Sequence, residues 1–177
     1  MGIPARLRPV ARDVLSLVRK GEMHPPRHAF KVSVDHETLQ IPYRLYYSPE
    51  LLRRKLIDAQ GIDQLVFACL GTRHYDGYLR QECLSYLLGS EAYWLTPYIV
   101  QLAGEYVVEI ADDVAHGIMS RDTSLLAAFA EENPGYLATL DRRITSYWTC
   151  YHRLAYPNRN DYPGRKVLAC LQDASRP

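Results

Sequence analysis

The chain has 177 residues, 47% hydrophobic and 23% charged, with a formal net charge of +1. That composition excludes a disordered or strongly polyelectrolyte chain, and the length suggests a single domain spanning residues 1–177. The longest apolar-rich run, about residues 92–104, is too short for the ~20 residues a membrane span needs.

Charge is unevenly spread along the chain. Residues 1–31 hold seven Lys/Arg against Asp13 and Glu22, and Arg142 to the end holds seven against two acids. Between them, residues 105–132 carry seven acids against Arg121 alone. The four cysteines, Cys69, Cys83, Cys150 and Cys170, are far apart and lack C-x-x-C spacing, so they read as small hydrophobes in a reducing cytoplasm. The N-terminus has no apolar h-region, and Arg6 stands where a myristoylation signal needs Ser or Thr.

In chain order, residues 5–20 have the apolar spacing of a short helix that Gly21 closes, and Glu22 to Arg27 reads as a Pro-Pro linker. The period then becomes two, at Phe30, Val32 and Val34 and again at Leu39, Ile41, Tyr43, Leu45 and Tyr47. Asp35-His36-Glu37-Thr38 lies between these runs as a turn, which predicts a β-hairpin over about 30–47. Pro42 cannot donate to a ladder and marks an edge. Ser48-Pro49-Glu50 starts a helix that runs to about Ala59, and a second covers about Asp63 to Leu70.

Asp76 caps the next helix, whose apolar side is Leu79, Cys83, Leu84, Leu87 and Leu88, and Gly89 stops it. Thr96-Pro97 then begins a longer helix with Ile99, Leu102, Ala103, Tyr106, Val107, Ile110 and Val114 on one side. On its opposite side the 100° wheel gathers Tyr98, Glu105, Glu109, Asp112 and His116, with Asp113 just off the line. Gly117 is expected to end it. Further helices are expected from about Asp122 to Glu132, from Asn133-Pro134 onward, and from Arg165 to Leu171.

Asp76-x-x-Leu79-Arg80-x-x-Cys83-x-x-x-Leu87 resembles the first-helix signature of HEAT-like repeats, and Pro97 matches the early Pro of the second helix in that family. The resemblance covers about residues 76–116, with Cys83 in place of the usual Ala. It implies stacked helices and a binding role, without chemistry. The expected fold is therefore mainly α: a short HEAT-like stack or an irregular bundle, with one hairpin near the N-terminal end.

No motif specifies a reaction, metal or cofactor. Asp113-x-x-His116 is half of a helical carboxylate metal motif, but no second Asp/Glu-x-x-His accompanies it, so a solvated acidic face is the better reading. Arg73, His74, Asp76 and Arg80 form a polar cluster at a helix start, and an interhelix network is favoured there over acid–base catalysis. The leading expectation is a cytoplasmic protein-interaction module, with Tyr98, Glu105, Glu109, Asp112, Asp113 and His116 meeting a basic protein partner. An immunity or antitoxin-like inhibitor is one form of it. The alternatives are nucleic-acid binding through Arg6, Arg8 and Arg12 with Arg142, Arg143 and Arg153, and an enzyme using the Arg73–Arg80 loop.

Overall fold

The computed structural model describes residues 2–9, 11–12, 14, 16 and 28–176, with the backbone alone at 22–24. The part of the expected N-terminal helix beyond residue 16 and the Pro25-Pro26 stretch lie outside the described residues. Among the described residues the protein is 67% helical, with eight α-helices and a small antiparallel hairpin, the mainly-α fold with one hairpin that the patterning predicts. The chain divides into two compact units, Met1–Ser90 and Glu91–Pro177.

The first unit opens with a 3-10 turn at Ala5–Leu7, whose Ala5 N–H donates to both carboxylate oxygens of Glu37 at 3.0 and 2.8 Å. Strand β1 (Glu22–His24) occupies the first three residues of the expected linker and pairs antiparallel with β4 (Tyr46–Tyr47). The hairpin is β2 (Ala29–Val34) with β3 (Glu37–Pro42), in a register from Ala29↔Pro42 to Val34↔Glu37. Only Asp35 and His36 form the turn, at φ 52° and 62°. Two positive φ values twist a two-residue loop in the same sense as the strands, and an Asp tolerates that region better than most residues. The hairpin strand ends at Pro42, earlier than the alternation predicts, with Tyr43 N–H still donating to His28 O at 2.9 Å just beyond it.

Helix α1 (Pro49–Asp58) is capped by Ser48, whose hydroxyl accepts from Leu51 N–H at 3.4 Å. Helix α2 (Gly61–Gly71) starts at a positive-φ glycine (Gly61, φ 59°) and buries Val66 to Gly71 without a break. Helix α3 (Gly77–Leu88) packs on α2. They approach closely at Gly71, where a Cβ would sit 2.1 Å from Cys83 Sγ and, on α1, 2.8 Å from Leu52 Cδ2. The small Cys83 side chain, where the repeat signature has Ala, fills that contact. Cys69 and Cys83 are fully buried free thiols, and burial pushes both pKa values well above the ordinary thiol range.

The second unit corrects the long helix expected from Thr96. The chain forms α4 (Thr96–Leu102), turns, and starts again as α5 (Val108–Met119). The cause lies in the packing of helices α7 (Pro134–Tyr147) and α8 (Pro163–Ala174) at the break. Arg143 Nε donates to Gly104 O at 2.8 Å, and Gly164 comes so near that its Cβ would lie 2.5 Å from Ala103 O. The turn exposes two carbonyls that a continuous helix would have used, and leaves room for both neighbours. It also changes the helical phase, so Tyr106, expected in the apolar stripe, is 56% exposed. Gly117 does not end α5, since Ile118 continues its buried face.

Helix α6 (Thr123–Glu132) is capped by Asp122, which accepts from Ser124 N–H at 2.8 Å. Helices α5 and α8 make the most extensive pairing of the unit, with Ile110, Ala111, Val114, Ala115 and Ile118 on one side and Val167, Leu168 and Leu171 on the other, all buried. Helix α7 continues into a π-helical turn, Trp148–His152.

Candidate functional site

In the first unit the Arg73–Arg80 cluster is a backbone clamp. Leu45 N–H donates to Arg73 O at 2.8 Å and Tyr75 N–H to Leu45 O at 3.2 Å, so the loop before α3 runs as a short parallel bridge beside Leu45. His74 is fully buried, and both of its ring nitrogens are committed. Nε2 donates to Tyr47 O at 2.8 Å, and Nδ1 accepts from Asp76 N–H at 3.1 Å. A carbonyl can only accept and an amide can only donate, so these partners dictate the neutral Nε2–H tautomer. Desolvation by burial lowers the His74 pKa, which favours the same form. Neither nitrogen is left for a substrate proton.

Arg80, 2% exposed, donates from one Nη to His74 O at 3.0 Å and Tyr75 O at 2.8 Å. Both of these acceptors are main-chain carbonyls of the loop before α3. Asp76 instead caps α3 through Tyr78 N–H at 2.9 Å and lies 3.7 Å from Arg53, which pairs with Glu82 at 2.8 Å. Arg73 is fully buried and draws the neighbouring Cys69 pKa downward against the larger effect of burial. All four residues sit where the clamp needs them, and the arrangement is that of a folded loop.

In the second unit the expected ridge divides. Tyr98 and Glu105 are 2% and 1% exposed, so they do not share a surface with the rest of the set. Tyr98 belongs to α4 and Glu105 to the turn after it. Every residue of α4 is buried, so Tyr98 has no exposed side to share, and extending one helical wheel across the turn misplaced Glu105. The remainder does form a face: on α5, Glu109 and His116 are exposed, with Asp112 and Asp113 half-buried between them. His116 Nδ1 lies 2.9 Å from Asp112 O and 3.5 Å from its carboxylate. Met119, 72% exposed, continues the stripe at its C-terminal end, and sequence reasoning passed over it. Its i+3 spacing from His116 was the signal. Among the described residues no group of three or more His, Cys, Asp or Glu side chains could hold a metal ion, and no helix is long and apolar enough to cross a membrane.

The basic residues named for nucleic acid belong to different units. Arg6 and Arg8 pair with Asp35 at 3.3 Å and Glu37 at 2.6 Å on the hairpin, and Arg12 is exposed. Arg142 and Arg153 are exposed, and Arg143 lies with its guanidinium carbon 5.6 Å from the Tyr147 ring centre.

Comparison of the chain with protein families, with characterised proteins and with solved structures finds no match. Function therefore has to be argued from the chemistry of these surfaces.

Proposed function

We propose that the protein is an interaction module that binds a basic protein partner through the outer face of α5. The observation behind this reading is the stripe Glu109, Asp112, His116 and Met119 at i, i+3, i+7 and i+10, exposed apart from the half-buried Asp112, on a helix whose other side is sealed against α8. The two carboxylates of the stripe, with Asp113 beside them, attract a cationic surface before contact and set its orientation. Met119 adds an adaptable apolar contact at one end, the kind of residue enriched at protein interfaces. A cytoplasmic inhibitor of a basic enzyme is one form such a module takes. HEAT-like stacking remains part of the same proposal, as a scaffold that presents a helix face.

The test is affinity capture with nuclease-treated lysate, run in parallel with the wild-type chain and with Glu109→Lys/Asp112→Lys/Asp113→Lys. The reading expects a stoichiometric basic partner on the wild type and its loss from the variant, with both proteins equally helical. A partner retained equally by both would remove α5 as the contact face.

A further inference from the structure

A second surface of the Glu91–Pro177 unit has a different chemistry. At the end of α7 the π-helical turn Trp148–His152 is anchored by Trp148 Nε1, which donates to Tyr156 O at 2.9 Å, and by His152 Nε2, which donates to Tyr106 O at 2.8 Å. With its ends held, the turn directs Thr149, Cys150, Tyr151, Arg153 and Leu154 to solvent, where they line a depression of about 400 Å³. Tyr151 is 69% exposed and Leu154 90%. Such π-turns in α-helices occur frequently at functional sites.

Beside the depression runs a row of rings. Tyr106 and Tyr147 have centroids 6.4 Å apart, and Tyr147 and Tyr151 6.2 Å apart. Arg143, Tyr147 and Tyr151 follow at four-residue spacing along the helix. Arg142 and Arg153 are exposed on the same segment. Residues 141–166 hold six Lys/Arg against Asp141 and Asp161. Asp141 is already bridged by Arg159 at 2.8 Å and Arg165 at 3.3 Å, so its charge is neutralised locally.

We propose that this surface binds single-stranded nucleic acid, with unpaired bases stacked on Tyr151 and Tyr106 and the backbone phosphate beside them held by Arg153. Flat exposed rings interleaved with arginines are what a strand with free base faces requires, and stacking tolerates any base. A duplex hides those faces and leaves the rings without a partner. An acidic peptide would use the arginines but not the row of rings. The unit as a whole holds eleven acids against eight Lys/Arg, so attraction is confined to this segment. Affinity is accordingly salt-sensitive, with few phosphates engaged.

Fluorescence anisotropy with a labelled oligouridylate, beside a duplex of equal length, tests this on the full chain. Binding to the single strand is expected to exceed binding to the duplex and to weaken as salt rises. Tyr151→Ala should weaken it by on the order of tenfold, Tyr151→Phe should leave it near wild type, and Arg153→Glu should lower both affinity and the salt slope. Tyr151 is exposed enough that its replacement leaves the fold intact, which the helical circular dichroism signal would verify. Absence of binding at low salt, equal binding of the duplex, full competition by polyglutamate, or an unchanged affinity in Tyr151→Ala would each overturn the proposal.

Discussion

Two glycines in equivalent positions should respond with opposite signs to the same substitution. Gly135 and Gly164 each follow the proline that starts a helix, in Pro134-Gly135 of α7 and Pro163-Gly164 of α8. A Cβ on Gly135 meets nothing within 4 Å. A Cβ on Gly164 would lie 2.5 Å from Ala103 O and 3.2 Å from Ile144 Cγ2, and the nearest of these atoms belongs to backbone. Relief would require the start of α8 and the α4–α5 turn to part by nearly an ångström in a closely packed core, which costs about 1–3 kcal/mol. The gain in helix propensity returns at most ~1 kcal/mol, less in a first turn. Gly164→Ala should therefore lose about 1–2 kcal/mol, while Gly135→Ala gains ~0.4–1 kcal/mol by restricting the unfolded chain. At ~4–8 °C per kcal/mol for a unit of this size, the two melting temperatures should separate by at least ~5 °C. The chain's two tryptophans, Trp94 and Trp148, both lie in the Glu91–Pro177 unit, so tryptophan fluorescence during thermal or urea unfolding reports on the affected region. If both variants shifted in the same direction, the argument that Gly164 is present for close approach would be wrong.

Two further predictions concern the first unit. His74 is neutral in the fold with its pKa lowered by burial, so the unfolded chain takes up the proton more readily. Its contribution to stability is fully present above the ordinary histidine value near 6.5 and is lost as pH falls below it, by up to ~1.4 kcal/mol per pH unit. Urea midpoints measured from pH 7.5 down to 5 should fall for the wild type and flatten in His74→Gln, and identical pH profiles would refute the buried clamp. Gly71→Ala should destabilise by ~1–3 kcal/mol through its collision with Cys83 Sγ. Adding Cys83→Gly, which removes that sulfur, should recover part of the loss. Strict additivity of the two changes in a double-mutant cycle would show that the contact is not the cause.

What the sequence determined alone was local: the period-two runs of β2 and β3, Asp76 as a cap, and Ser48, Pro134 and Gly89 at helix boundaries. Such signals depend on neighbours within one or two turns, and neighbours are what a sequence displays. The wheel also placed Glu109, Asp112 and His116 correctly together, since they belong to one unbroken helix. Tertiary structure alone decided the break between α4 and α5. The residues that require it, Arg143 and Gly164, stand about forty and sixty positions away and act on the carbonyls of Gly104 and Ala103. That one turn buried Glu105, exposed Tyr106 and detached Tyr98 from the acidic face. Likewise the partners of His74 are main-chain groups of Tyr47 and Asp76, and side-chain identity carries no record of a carbonyl's position. The π-turn is of the same kind: its anchors, Tyr106 O and Tyr156 O, are backbone atoms brought to it by the fold.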